Sequence, residues 1–90
     1  MNKKEIRKFE RIFKGLSNHR RIEILLYLKK NDGASLDTIA KTLKCNFKTI
    51  FEHTRKLKIA GLINKYNSGN LVEHTLTPYG KKILKIIETF

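Results

Sequence analysis

The clearest chemical signal in the sequence comes from the lysines and arginines between positions 44 and 58. Lys48 and Arg55 are seven residues apart, so a helix would place them on one face about two turns from each other. Lys44 lies in the predicted turn before them, and Lys56 and Lys58 follow near the predicted helix end. Cations in this arrangement can neutralise phosphates, and the resulting counterion release supplies nearly all non-specific affinity for nucleic acid. The pattern therefore favours a nucleic-acid surface over lysines that only solvate a helix.

Several side chains in the same stretch could read bases, and each has a second interpretation. Arg55 could donate two hydrogen bonds to guanine or act only on the backbone. Phe47 and Phe51, one turn apart, could touch thymine methyl groups or form the edge of the core. Glu52 could accept from cytosine or be solvated. Asn46 is a good helix N-cap. It could help the first N–H groups of the helix to bind a phosphate, or it could serve for capping alone.

The downstream hairpin carries little charge, since Lys65 is the only lysine near a tip of Asn, Ser, Gly and Asn. Its contacts with nucleic acid should therefore be a few hydrogen bonds to phosphate or sugar. The complete set of residues that we predict to contact DNA is Lys44, Asn46, Phe47, Lys48, Thr49, Phe51, Glu52, Arg55, Lys56, Lys65, Ser68 and Asn70.

Other chemistry has little support in the residues. Cys45 is the only cysteine, so it forms no internal disulfide, which agrees with a reducing compartment. His19, His53 and His74 are far apart in the sequence and have no thiol or carboxylate at helical spacing. We therefore predict no metal and no cofactor, with a site shared across a dimer as the open alternative. No nucleophile and base pair or glycine-rich phosphate loop is present, so we expect no enzyme.

Composition limits the chain to a small basic body. It has 90 residues, 20 Lys and Arg against 8 Asp and Glu, and a net charge of +12. Its 40% hydrophobic content is enough for a folded domain, and 90 residues make one domain. The longest apolar run, Ile24 to Leu28, is far too short for a membrane span, and no apolar signal core follows the basic start. We expect a cytoplasmic protein without a membrane partner.

Periodicity predicts two helices before position 31. Apolar residues recur every three or four positions from Ile6 to Leu16, which predicts a helix over about residues 3–14 that ends at Gly15. Ser17 and Asn18 are both good N-caps for a second helix from His19 to Lys30. The second helix is apolar on more than one face and should be buried on two sides.

The middle of the chain has the pattern of a helix-turn-helix. Ser35 should cap a short helix, and a three-residue break at 44–46 separates it from a longer, more basic helix over 46–60. The inner face of the longer helix should contain Ile50, Thr54 and Leu57. This arrangement is typical of DNA-binding proteins in which the second helix enters the major groove.

The last third predicts a β-hairpin and a final helix. Strands over 62–66 and 71–76 flank a loop of turn-forming residues at 67–70, which would be a wing. Thr77 and Pro78 mark the start of the last helix, in which Gly80 should be slightly unfavourable. We predict one domain over 1–90, mainly α with a small β-hairpin (α+β): an N-terminal helix (1–16), a helical core (17–61), a wing (62–77) and a C-terminal helix (78–90).

Three stretches give this pattern a family resemblance: Gly15 to Leu25 (GLSNHRRIEIL), Leu57 to Ile63 (LKIAGLI) and Leu76 to Gly80 (LTPYG). With the order of elements, they resemble the arsenic-repressor (ArsR) type of winged helix-turn-helix regulator. The resemblance covers about three quarters of the chain. It implies a dimeric transcription factor that places the helix over 46–60 in the major groove and a hairpin wing over the neighbouring backbone.

The sequence also departs from the family pattern. Metal-sensing members often carry a Cys-x-Cys pair where this chain has Ser35 and Asp37, so the resemblance implies no thiolate site here. Members commonly have small polar residues in place of Phe47 and Phe51 and a leucine in place of Thr54. His53 matches a position where the family often has histidine.

Association should come from the two terminal helices, whose apolar surface exceeds what a 90-residue core can bury. The predicted dimer residues are Ile6, Phe9, Ile12, Phe13, Ile83, Ile86, Ile87 and Phe90. We expect a homodimeric, sequence-specific regulator that binds double-stranded DNA, acting as a repressor, with no effector identified by the residues. The alternatives are a winged-helix protein-interaction module of a transcription or replication assembly, and a chromatin-like DNA binder without sequence preference.

Overall fold

Five helices and one β-hairpin form the fold, and the computed structural model describes all residues from 1 to 90. The prediction of a mainly α fold with a small hairpin is confirmed. No helix has the length and apolar character needed to cross a membrane. The elements are α1 (Lys3–Leu16), α2 (His19–Lys30), α3 (Leu36–Thr42), α4 (Phe47–Ile59), β1 (Ile63–Ser68), β2 (Leu71–Leu76) and α5 (Pro78–Glu88).

Polar side chains set the start of every helix. Each N-cap side chain accepts a hydrogen bond from a backbone N–H in the first turn, which satisfies a donor that has no partner within the helix. The caps predicted from sequence are confirmed for α2 to α5, with Asn18 rather than Ser17 capping α2. The N-caps are Asn2, Asn18, Ser35, Asn46 and Thr77.

The hydrophobic core lies where the five helices meet the base of the hairpin. Ile24, Leu25 and Leu28 of α2 are almost completely buried, which agrees with the prediction that α2 is enclosed on more than one side. Leu57 of α4 and Leu84 of α5 complete the centre of this cluster. Every buried side-chain nitrogen and oxygen atom has a hydrogen-bond partner, so no polar side chain is left unpaired in the core.

Gly15 does not end α1 as the sequence predicted. The helix continues to Leu16, and Gly15 is buried against α4. A Cβ atom at this position would overlap the Cβ of Ala60, so the absence of a side chain lets the two helices approach closely. Gly80 likewise lies where the carbonyl of Leu62 leaves no room for a Cβ. Both glycines are therefore contact points between elements.

The hairpin is longer and its tip tighter than predicted. Pairing runs in antiparallel register from Ile63 opposite Leu76 to Ser68 opposite Leu71, so only Gly69 and Asn70 form the loop. Gly69 has a φ of 63°, the positive value that a two-residue turn of type II′ requires at its first position. The base of β2 is held to the connection between α2 and α3, because the backbone N–H of His74 donates to the Ala34 carbonyl at 3.0 Å.

Candidate nucleic-acid interface

The turn between α3 and α4 sets the angle of the helix-turn-helix. Lys44 has a φ of 54°, a left-handed conformation that reverses the chain within a short distance. The backbone N–H of Cys45 donates to the Ala40 carbonyl at 2.9 Å, which closes the end of α3. Lys44 itself is exposed, so its ammonium is free to approach a phosphate beside α4.

The buried face of α4 determines which residues face outward. Ile50, Thr54 and Leu57 are completely buried, as the sequence predicted. The Thr54 hydroxyl donates to the Phe51 carbonyl at 2.9 Å, which satisfies its polar group inside the core. Lys48 and Arg55 are consequently exposed on the other side of the helix.

Asn46 acts as a cap in this structure. Its side-chain oxygen accepts from the backbone N–H of Lys48 at 2.8 Å and from that of Thr49 at 3.4 Å. These two N–H groups are therefore already paired. The capping interpretation accounts for Asn46, and the helix dipole adds a favourable but smaller attraction for a phosphate nearby.

Arg55 is held by Glu52 on the exposed face of α4. The Arg55 Nε donates to Glu52 Oε1 at 3.1 Å and to Oε2 at 3.2 Å, and Nη2 also bonds the carboxylate. This hydrogen bonding lowers the pKa of Glu52 and raises the pKa of Arg55. About half of each side chain is exposed, so water and salt weaken the pair. Arg55 can therefore exchange Glu52 for a base edge at little cost.

Arg21 and His53 form a contact that the sequence pattern did not predict. The Arg21 Nε donates to His53 Nδ1 at 3.2 Å, and its Nη1 donates to the carbonyls of Lys14 and Gly15, both at 3.2 Å. Burial lowers the pKa of His53, and the Arg21 charge lowers it further, which agrees with Nδ1 accepting the hydrogen bond from Arg21. One guanidinium thus joins the end of α1, the start of α2 and α4. The Gly15 to Leu25 stretch contained Arg21, but nothing in it indicated the partner on α4.

An open apolar groove lies between α4 and the wing. Phe47 is 54% exposed and Phe51 is 47% exposed. The sequence had left open whether they form the edge of the core, and their exposure excludes that interpretation. Leu71 and Val72 of β2 are also exposed and line the same groove. The sequence pattern did not identify Leu71 or Val72 as groove residues, because the alternation of apolar and polar residues in β2 does not show that α4 lies next to them. The groove could receive thymine methyl groups or an apolar partner side chain.

The wing carries little charge near its tip, so few contacts with phosphate remain the expectation. The ammonium of Lys65 lies 5.1 Å from the centre of the Phe51 ring, so it points toward α4 and away from the tip. Burial lowers the pKa of Lys65, and the neighbouring charges of Lys58 and Arg55 add to this effect. Ser68 and Asn70 are exposed at the tip and present only neutral polar groups.

The predicted dimer residues separate into three groups. Ile12 is only 3% exposed and packs in the core of its own chain, so its assignment to the dimer surface was wrong. Ile83 and Ile87 are half-buried, and Ile83 packs against the same core. The exposed members are Ile6, Phe9, Phe13, Ile86 and Phe90. The error has a simple cause: adjacent positions 12 and 13 both fit an apolar periodicity, and only one of them can face inward.

His53 and His74 lie in separate environments. His74 is 2% exposed, and its Nδ1 bonds the Ala34 carbonyl at 2.8 Å, while His53 is paired with Arg21. Burial lowers the pKa of His74, partly offset by that backbone hydrogen bond. No group of three or more His, Cys, Asp or Glu side chains is arranged to hold a metal ion.

Known proteins resemble this chain in structure. No protein-family model matches the sequence, and no curated protein matches it. HlyU from Vibrio cholerae superposes with a TM-score of 0.85 at 24% identity, covering 99% of this chain and 96% of that chain. Mb0332 from Mycobacterium bovis is a homodimeric winged helix-turn-helix DNA-binding domain of a possible ArsR-family regulator. It superposes with a TM-score of 0.88 at 21% identity, covering 99% of this chain and 84% of that chain. The transcriptional repressor PagR of Bacillus anthracis superposes with a TM-score of 0.86 at 17% identity, covering 96% of this chain and 99% of that chain. This chain therefore has the winged helix-turn-helix fold.

Proposed function

We propose that this protein is a homodimeric transcription regulator that binds double-stranded DNA in a sequence-specific manner. In this proposal α4 enters the major groove and the hairpin wing lies over the adjacent backbone. The protein acts by binding, without a catalytic step. It represses transcription by occupying a promoter site, by analogy with the repressor PagR, which shares the fold.

The main support is the outward face of α4, which carries Lys48, Arg55 and Lys56. The opposite side of the helix is fully buried in the core. A helix fixed in this way can present its exposed face to a groove as a rigid unit. Residues 17–62, which contain the helix-turn-helix, carry ten basic and four acidic residues, a net charge of +6. This charge supplies the attraction to phosphate, and the Arg55 guanidinium supplies a group able to select guanine.

Dimer formation follows from the exposed apolar residues of the terminal helices. Phe13 on α1 is 59% exposed, and Ile86 and Phe90 near the C-terminus are 54% and 102% exposed. The Lys8 ammonium bonds the Tyr79 hydroxyl and lies 4.3 Å from the centre of its ring, which ties α1 to the start of α5. Mb0332, which shares the fold, is homodimeric. A symmetric dimer would present two copies of α4 to two half-sites of an inverted repeat.

Selection from a random pool of DNA duplexes tests this proposal directly. We expect enrichment of an inverted repeat with half-site centres one helical turn apart, about 34–36 Å, or a multiple of that distance. Binding without any enriched sequence would replace it with the chromatin-like, non-specific alternative. Sedimentation at micromolar concentration should show a dimer, and a monomer that persists when DNA is added would contradict the homodimer.

A protein-interaction module is the second candidate, and the exposed Phe47 and Phe51 beside Leu71 favour it. Aromatic side chains in an open groove are common anchors of protein interfaces. If this candidate is correct, Phe51→Ala should abolish capture of a protein partner, whereas Lys48→Ala and Arg55→Ala should leave DNA affinity and its salt dependence unchanged.

A further inference from the structure

The exposed surface of α1 carries a row of cations that the proposed function does not yet use. Lys4, Arg7, Arg11 and Lys14 follow one another at intervals of three or four residues, and all four are exposed. At 100° per residue they fall within a sector of about 80°, and the row is about 15 Å long. The exposed apolar residues of α1 project from a different sector, so the cationic row stays free when a partner covers the apolar side.

The C-terminal end of this row meets α4 at a shallow cleft. Arg11 and Lys14 of α1, Arg21 of α2 and Lys56 of α4 line it, with Ile59 as an apolar wall. The close approach of the two helices at Gly15 and Ala60 brings these side chains together. Lys56 belongs to the face of α4 that we assign to DNA, so the cleft continues that surface onto α1.

The positive charge of the cleft exceeds the negative charge beside it, where Glu52, bonded to Arg55, also feels the charges of Lys56 and Arg21. No acidic residue lines the cleft. Glu10 approaches Lys14 at 3.7 Å, but the two side chains are 60% and 77% exposed, so their attraction is weak in water. Arg21 donates only to neutral acceptors, namely two carbonyls and His53, and therefore keeps its full charge. The lowered pKa of His53, which burial and the charges of Arg21 and Lys56 produce, agrees with a local excess of cations.

We infer that the cleft formed by Arg11, Lys14, Arg21 and Lys56 binds the sugar-phosphate backbone beside the groove that α4 occupies, with Arg7 and Lys4 extending the contact along α1. The inference rests on the proposed function and adds a backbone anchor to it. The positive charge of the cleft favours an anionic polymer as its ligand. Because the cleft continues the exposed face of α4, we expect this polymer to be the DNA duplex that α4 binds. Ile59 is 62% exposed and can pack against deoxyribose at the wall of the cleft.

The test compares two double variants that remove equal charge. Arg11→Gln with Lys14→Gln removes two cations from the cleft, and Lys81→Gln with Lys85→Gln removes two exposed cations from α5 as a control. Affinity for a duplex is measured from 50 to 300 mM salt. We expect the cleft variant to lower the salt slope by about 0.9 for each phosphate that it no longer neutralises and to weaken binding at 150 mM salt on the order of tenfold. The α5 control should remain close to wild type.

A charge-conserving variant separates charge from folding. Arg11→Lys with Lys14→Arg should keep the wild-type salt slope, and thermal unfolding should show all variants folded. If the cleft variant and the α5 control bind alike while wild type binds DNA, the cleft inference is overturned and the proposed function survives. If wild type binds no duplex, both fail. If only binding to phosphatidylserine vesicles depends on Arg11 and Lys14, the cleft belongs to a membrane surface and the inference is likewise overturned.

Discussion

The two flanks of α4 differ in chemistry although each lies beside the same exposed helix face. The α1 flank contributes Arg11, Lys14 and Arg21, which with Lys56 of α4 surround a cleft whose lining has no acidic residue. The wing flank contributes an apolar groove, and its one lysine, Lys65, lies over Phe51. The difference shows that the cations of this chain, whose net charge is +12, are not spread evenly over the proposed DNA-binding surface. We expect the α1 flank to add affinity and salt dependence to those that α4 supplies, and the wing flank to discriminate base methyl groups.

Arg55 lies between the two flanks, and its removal should have the largest effect on DNA binding. Arg55→Ala should weaken binding by about 1–3 kcal/mol per half-site and relax the preference at one base pair, because alanine cannot donate the two hydrogen bonds that guanine accepts from arginine. Selection from a duplex pool measures both changes. Lys44→Ala is the control, since it should weaken all duplexes alike. Equal weakening on every duplex for Arg55→Ala would show that Arg55 only touches the backbone.

The α1 flank depends on the close approach at Gly15. Gly15→Ala should lower the free energy of unfolding by about 1–3 kcal/mol, because the new Cβ overlaps Ala60 and α1 must move. The salt slope of DNA binding should fall as well, since Arg11 and Lys14 move away from α4. Denaturant titration measures the stability. Adding Ala60→Gly should recover part of the stability, and a stable Gly15→Ala protein with an unchanged salt slope would contradict this account.

The wing flank should respond to methyl groups rather than to salt. Replacing thymine by deoxyuridine in the bound site removes a methyl group, and wild type should bind more weakly by about 0.8 kcal/mol for each methyl buried against Phe47 or Phe51. Phe51→Ala should bind both duplexes with nearly equal affinity and keep the wild-type salt slope. Fluorescence anisotropy measures this comparison. A wild-type protein insensitive to deoxyuridine would remove the groove from the DNA interface.

Histidines on both flanks should give the smallest effect, a gradual decrease of stability in mild acid. The pKa values of His53 and His74 are lowered mainly by burial, so the unfolded chain takes up protons that the folded chain does not. The stabilising contribution is therefore complete above pH of about 6.5, the ordinary value for histidine, and decreases as pH falls below it. Thermal unfolding between pH 7.5 and 5.5 checks the trend. His53→Gln should reduce the slope, and an unchanged slope would contradict the assignment.

Elements with a strong local signal were predictable from the sequence. The caps at Asn18, Ser35 and Asn46 are confirmed because capping depends only on one side chain and the next three backbone N–H groups. The buried face of α4 is confirmed because helical periodicity fixes which residues share a side. The strand boundaries were less accurate, since Asn67 and Ser68 favour turns locally but pair across the hairpin.

Features that join distant segments were not predictable. Gly15 has the local properties of a helix terminator, and only the position of Ala60 shows that it is a crossing point. Ile12 and Phe13 are both apolar, and only the packing of α1 on the other helices decides that Ile12 is buried and Phe13 is 59% exposed. The Arg21 contact with His53 spans 32 residues, and neither side chain has a local feature that selects the other.

The order of the helices and the hairpin, the caps that start α3, α4 and α5, the inner face of α4 and the excess of positive charge could all be read from the sequence. These properties follow from short-range backbone geometry, periodicity and composition. Three features became visible only in the folded chain: which cations share a cleft, which aromatic residues remain exposed beside the wing and which apolar residues of α1 are left for a partner. The reason is that each of these outcomes depends on how helices cross, and crossing is set by close packing between segments far apart in the chain.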